Sequence, residues 1–199
     1  MFVVLAVDEL FELVSLLGAI GDRAAEASPP SGGWGEVEEG ECGYYEVEWE
    51  SSPPPGDVHG LDSHTAVVEF EGVSVIVATG ALVGRCSAFV PGLSASWLGV
   101  RLNFKGGGDL LAGSRLYYKS RFLERVFDAD FDLEAARDEV RYHVEEALAR
   151  AWDGGGVLLL DGPVFRALDV LKRGGVYAFL YSEIYKRRYE LFGGRRVVG

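Results

Sequence analysis

Apolar residues recur along this chain in two rhythms, and each rhythm predicts a different element. Across residues 8–27, Leu10, Leu13, Val14, Leu17 and Ala24 return near the helical period, with Gly18 and Gly21 weakening the middle. A Ser-Pro-Pro-Ser-Gly-Gly stretch at 28–33 ends that helix. Residues 45–50 instead alternate apolar and acidic side chains, which predicts a strand with one wet face. A proline-rich connector at 51–56 follows. The pattern divides the chain into an acidic N-terminal helix and strand element, residues 1–56, and a main domain, residues 57–199.

In the main domain, residues 65–70 and 73–78 predict two strands joined by a two-residue Glu71-Gly72 turn. A looser region follows Gly84, and 97–104 predicts a further strand. Residues 105–109 form a glycine-rich loop, and 116–118 suits a strand or a short helix. The clearest helix spans 133–152, stopped by Asp153-Gly154-Gly155-Gly156. Residues 157–160 predict a buried strand and 165–171 the start of another helix. Residues 176–181 read as a final strand, and 184–192 as helical or extended. A hairpin followed by a helix–strand–helix unit implies an α/β domain with a mixed sheet.

Charge changes this picture only through its distribution. The formal net charge is −12, but residues 1–50 alone hold twelve acids and one base. From Arg166 onward there are eight bases and three acids, including Lys186-Arg187-Arg188 and Arg195-Arg196. A locally basic surface for a nucleic-acid backbone is therefore compatible with an acidic total. No apolar run approaches the roughly 20 residues of a membrane span. Asp8, Glu9 and Glu12 interrupt the apolar start, so no signal peptide is expected and the expected location is cytoplasmic. Cys42 and Cys86 lack paired spacing, which argues against a disulfide framework or a zinc site. Gly106-Gly107-Gly108 lacks the Lys-Ser/Thr ending of a phosphate-binding loop, and no HExxH, GxSxG or CxxC motif occurs.

Candidate chemistry centres on carboxylates. Asp161 follows an apolar strand and precedes a Gly-Pro turn, which delivers an acid to a sheet rim; helix capping is its plainer role. Asp62 precedes paired apolar runs and has the same two roles open to it. On the long helix, Glu139, His143 and Glu146 share one edge of the apolar stripe, whereas Glu134, Asp138 and Glu145 read as solvent groups. Converging acids suit Mg²⁺ or Mn²⁺, hard ions that take oxygen ligands and neutralise charge in phosphodiester cleavage. His64 and His143 fit a ligand, a base or a structural role. Lys172, Arg173 and Lys186 could hold a phosphate, while Tyr177 and Tyr181 read as packing residues.

Gly60-Leu61-Asp62-Ser63-His64 ahead of the hairpin, Arg137-Asp138-Glu139 on the helix, and Leu160-Asp161-Gly162-Pro163 at the strand end carry a resemblance. They resemble, over about residues 57–175, the NurA nucleases of archaea. The resemblance implies an RNase H-like mixed sheet flanked by helices, and a metal-dependent DNA nuclease in end processing or repair. It implies Asp62, Glu139 and Asp161 as catalytic metal ligands for Mn²⁺ or Mg²⁺, with Glu146 as substitute for Glu139. It also implies DNA, a HerA-like hexameric ATPase and a second copy of the chain as partners. Two departures stand beside it. The first motif reads Asp62-Ser63 where the family has Asp-Gly, and no histidine follows His143. A non-catalytic binding or assembly protein of the same fold is the alternative, and a metal-dependent phosphatase a third.

Overall fold

Glycine at the second position of the Glu71-Gly72 turn, with φ of 77°, folds the chain into a long hairpin. Its arms are β1 (Val58–Phe70) and β2 (Val73–Val83), paired antiparallel in one unbroken register from Gly60↔Val83 to Phe70↔Val73. This is a computed structural model, and it describes residues 2–27, 57–164 and 175–199. The expected strand at 45–50, the connector, the helix start at 165–171, and Lys172 and Arg173 lie outside the described residues.

β2 is long enough to take two partners on its other side. Its first half pairs with β4 (Leu98–Leu102) and its second half with β3 (Ala88–Val90), both antiparallel. β1 pairs on its free side with β5 (Val157–Leu160), in parallel, and β5 pairs in parallel with β6 (Val197–Val198). A parallel pair needs a crossover, and α2 (Leu133–Ala151) supplies it between β4 and β5. The result is a mixed six-stranded sheet flanked by helices, as the RNase H-like expectation requires.

Residues 176–181 do not form a strand. They open α3 (Gly175–Phe192), in which Leu180, Tyr181, Ile184 and Phe192 are buried. Their three- and four-residue spacing is helical, and one buried stripe outweighs the β-propensity of a short Val/Tyr/Phe run. Residues 116–118 contribute only an isolated bridge, Tyr117 to Gly99.

α2 lies on one face of the sheet. Asp132 caps it by accepting from the Ala135 N–H at 2.8 Å. Ala136, Val140, Val144 and Leu148 form its fully buried stripe. A Cβ on Gly80 would lie 2.7 Å from Leu148 Cδ1, and one on Gly99 would lie 2.8 Å from Val140 Cγ2. Helix and sheet therefore touch through glycine. On the other face, Val68, Phe70, Val83, Phe89, Leu159 and Val198 are exposed.

α1 (Phe2–Ala27) extends the expected 8–27 helix and buries Leu13 and Ile20. Leu10 and Val14, expected on the same stripe, are exposed. Polar ties fix α1 to the domain. Glu12 accepts from Ser114 Oγ (2.7 Å) and Arg115 N (2.8 Å), Arg23 pairs with Asp109 (2.7 Å), and Glu9 accepts from Trp97 Nε1. Among the described residues, no helix is long and apolar enough to cross a membrane.

Candidate functional site

The buried stripe of α2 is bordered by two polar edges, and they point to different places. One edge carries Asp138, Arg141 and Glu145 and faces α3 and the end of β5. The other carries Glu139, His143, Glu146 and Arg150 and faces the segment around Tyr117 and Arg121 and the loop before β4.

Side-chain alternation decides which β1 residue meets α2. His59, Leu61 and Ser63 are buried on the helix side, and Asp62 and His64 are exposed. Ser63 Oγ donates to Glu145 Oε1 at 2.6 Å. Asp62 consequently points to the face opposite α2. The parallel register brings Asp161 to β1, where its N–H donates to the Leu61 carbonyl at 3.1 Å. Asp62 on β1 and Asp161 just past the end of β5 are thus neighbours, and Glu139 lies across the sheet from Asp62.

Glu139 is fully buried. Its Oε1 accepts from Tyr117 Oη and from Arg121 N (2.7 Å), while its Oε2 has no partner among the described residues. His143 Nε2 lies 2.8 Å from Tyr117 Oη. Burial, then the adjacent Glu139 charge, pushes the Tyr117 hydroxyl well above its ordinary pKa, so it stays a donor. Glu146 runs the other way. The nearby His143, its Nδ1 3.8 Å away, lowers the Glu146 pKa; burial opposes this and Arg150 reinforces it, leaving the pKa at about 2. Arg150 Nη2 is 2.6 Å from Glu146 Oε1.

The structure places Glu145 in the position where a helix acid, a β1 side chain and the β5 end converge. Far from being a solvent group, it is buried and accepts from Ser63, from Arg141 Nε (2.9 Å) and from Arg188. Arg188 also donates to the Val164 carbonyl at 2.8 Å, tying α3 to the chain after β5. Burial lowers the Arg188 pKa, a shift that a buried guanidinium tolerates when a carboxylate answers it. A cavity of about 300 Å³ opens here, bordered by Asp138, Asp161 and Tyr181. Tyr181 Oη donates to Asp138 at 3.0 Å, and Tyr177 Oη accepts from Asp132 N at 2.7 Å. Both tyrosines pack α3 against α2.

Asp62, Glu139 and Asp161 do not form one ligand shell in this arrangement, and Glu146 belongs to the Glu139 edge. Among the described residues, no group of three or more His, Cys, Asp or Glu side chains is placed to hold a metal ion. Lys186 is exposed on α3. The residues missed from sequence are Ser63, Glu145 and Arg188. The Arg141/Glu145 spacing of four was the one local signal available; Arg188 reaches Glu145 only through the tertiary fold.

A family model described as the NurA domain matches residues 56–199. No match is found among curated proteins or solved structures.

Proposed function

The chain belongs to the NurA domain family, and from that premise we propose that it binds DNA through a nuclease-type fold without three-carboxylate metal-dependent cleavage. One observation carries the reading. At the convergence of α2, β1 and β5, the β1 residue is Ser63, and the helix acid Glu145 is already answered by Arg141 and Arg188. Clustered acids recruit a divalent ion because they repel one another; an acid paired with guanidinium has no such demand. The residues present do not fit Mn²⁺ or Mg²⁺ as a shared set. DNA contact is assigned to exposed bases, with Lys186, Arg187, Arg195 and Arg196 near the C-terminal end. A homodimer and a HerA-like hexameric ATPase belong to the same proposal as assembly partners.

The test has two parts. Anisotropy with single- and double-stranded DNA is expected to give binding that weakens steeply with salt. Single-turnover incubation with Mn²⁺ is expected to leave the DNA intact. Cleavage abolished by Asp161→Ala would overturn the non-catalytic part.

A second reading, metal-dependent hydrolysis, is favoured by the strand adjacency of Asp62 and Asp161. It predicts Mn²⁺-dependent cleavage lost equally in Asp62→Asn and Asp161→Asn. Cleavage insensitive to Asp62 would eliminate it.

A further inference from the structure

The Glu139 edge of α2 borders a second cavity, of about 430 Å³, between the helix and the loop from Pro91 to Trp97. We propose that this cavity binds a phosphate monoester, with Arg121 as its anchoring cation and the Ser94 and Ser96 hydroxyls as further donors.

The titratable groups facing the cavity are Glu9, Arg121, His143, Glu146 and Arg150. Both acids are already answered. Glu146 takes Arg150 at 2.6 Å and lies 3.8 Å from His143 Nδ1. Glu9 accepts from Trp97 Nε1, and burial moves its pKa upward. Arg121 differs. Its guanidinium lies over the Tyr117 ring, 5.5 Å from the centroid, and reaches Ser96 Oγ only at 3.5 Å. Among the described residues no carboxylate pairs with it.

The same residue is held firmly by its backbone. Arg121 N donates to Glu139 Oε1 at 2.7 Å and to Tyr117 Oη at 3.2 Å. The buried Glu139 thus fixes where an uncommitted guanidinium starts, and that pre-organisation favours a charged ligand. Guanidinium and hydroxyl donors lining one cavity are the chemistry that recognises phosphate. The volume falls within the roughly 300–1,000 Å³ of small-molecule pockets. The ligand is either a free mononucleotide or the 5′-phosphate of a DNA strand. The second source rests on the DNA-binding reading above.

The experiment uses the full chain in EDTA with three probes: thymidine 5′-monophosphate, and one short single-stranded oligonucleotide with either a 5′-phosphate or a 5′-hydroxyl. The expected result is at least about fivefold tighter binding of the phosphorylated strand, or a melting shift with the mononucleotide, either one lost in Arg121→Gln. The arm that responds identifies the source. Ser94→Asp, which places a like charge in the wall, is expected to abolish the same response and covers a folding defect in the arginine variant. Equal binding of the two strands together with no mononucleotide response would overturn the site, as would a response that survives both variants. DNA binding indifferent to the 5′ group, with no mononucleotide response, sinks this site alone; loss of all DNA binding sinks the DNA-binding proposal instead.

Discussion

Ser63 Oγ and Glu145 Oε1 meet at 2.6 Å across the interface between β1 and α2. The contact fixes how the hairpin faces the helix, because an extended strand presents alternate residues to alternate faces. It also makes Glu145 the hub of a network reaching α3 through Arg188.

Breaking that hub by removing one partner leaves buried charge uncompensated. Glu145→Ala is expected to destabilise the protein by about 3–5 kcal/mol, since Arg141 and Arg188 both lose their carboxylate partner. Ser63→Ala removes a neutral hydroxyl that donates to Glu145 and accepts from Arg141 Nε at 2.9 Å, and should cost less, about 1.5–3 kcal/mol. Urea unfolding of both variants checks the ranking. Equal losses would mean that Glu145 is solvated rather than paired.

Tyr117→Phe removes the hydroxyl that donates to Glu139 and lies 2.8 Å from His143 Nε2. Glu139 would keep the Arg121 N–H on Oε1 and gain nothing for its orphan Oε2. The expected cost is about 1–3 kcal/mol, read as a lower thermal midpoint. An unchanged midpoint would contradict the buried network.

Gly80→Ala tests how closely helix and sheet pack. The new Cβ would stand 2.7 Å from Leu148 Cδ1 and 2.8 Å from the Asp62 carbonyl oxygen. One neighbour is backbone and cannot swing away, so about 1–3 kcal/mol of destabilisation is expected. Pairing the change with Leu148→Ala should relieve only the side-chain part of the clash. Full rescue would place the strain wholly on Leu148.

The depressed Glu146 pKa sets a sign for acid stability. A carboxyl that falls from 4.5 to about 2 on folding stabilises the protein above pH 4.5. That contribution fades as pH drops from 4.5 toward 2. Glu146→Gln should therefore be less stable than wild type at neutral pH, with the gap closing through this window. Denaturant midpoints at several pH values measure it, and a gap constant down to pH 2 would rule the assignment out.

Much of the fold was legible because its signals are local. The Glu71-Gly72 turn, the apolar run 157–160 and the helix beginning at Leu133 each carry their own punctuation. The Glu139, His143 and Glu146 edge was also readable, since spacing on a helix fixes which residues share a side. What spacing could not give was the direction in which that edge points. Leu61 and Ser63 on one side of β1 are less polar than Asp62 and His64 on the other, but Val67 and Val68 are both apolar, so the alternation along the strand marks the two faces only weakly. The α3 error has the same origin: residues 176–181 suit a strand until Ile184 and Phe192 extend the helical stripe.

The unbroken pairing of β1 with β2 has one further consequence. Alternate positions of each arm behave as two separate alphabets, one addressed to the helix (odd numbers on β1, their even-numbered partners on β2) and one to the outside. Sliding β1 by a single position would hand every helix-facing place to its neighbour, with Asp62 arriving opposite Glu145 and Ser63 leaving. An acid beside an acid past the C-terminal end of β5, in place of an alcohol, is one residue of displacement away. The chemical character of this domain therefore turns on counting parity along one strand, and any inserted or deleted residue between Gly60 and the turn would rewrite it.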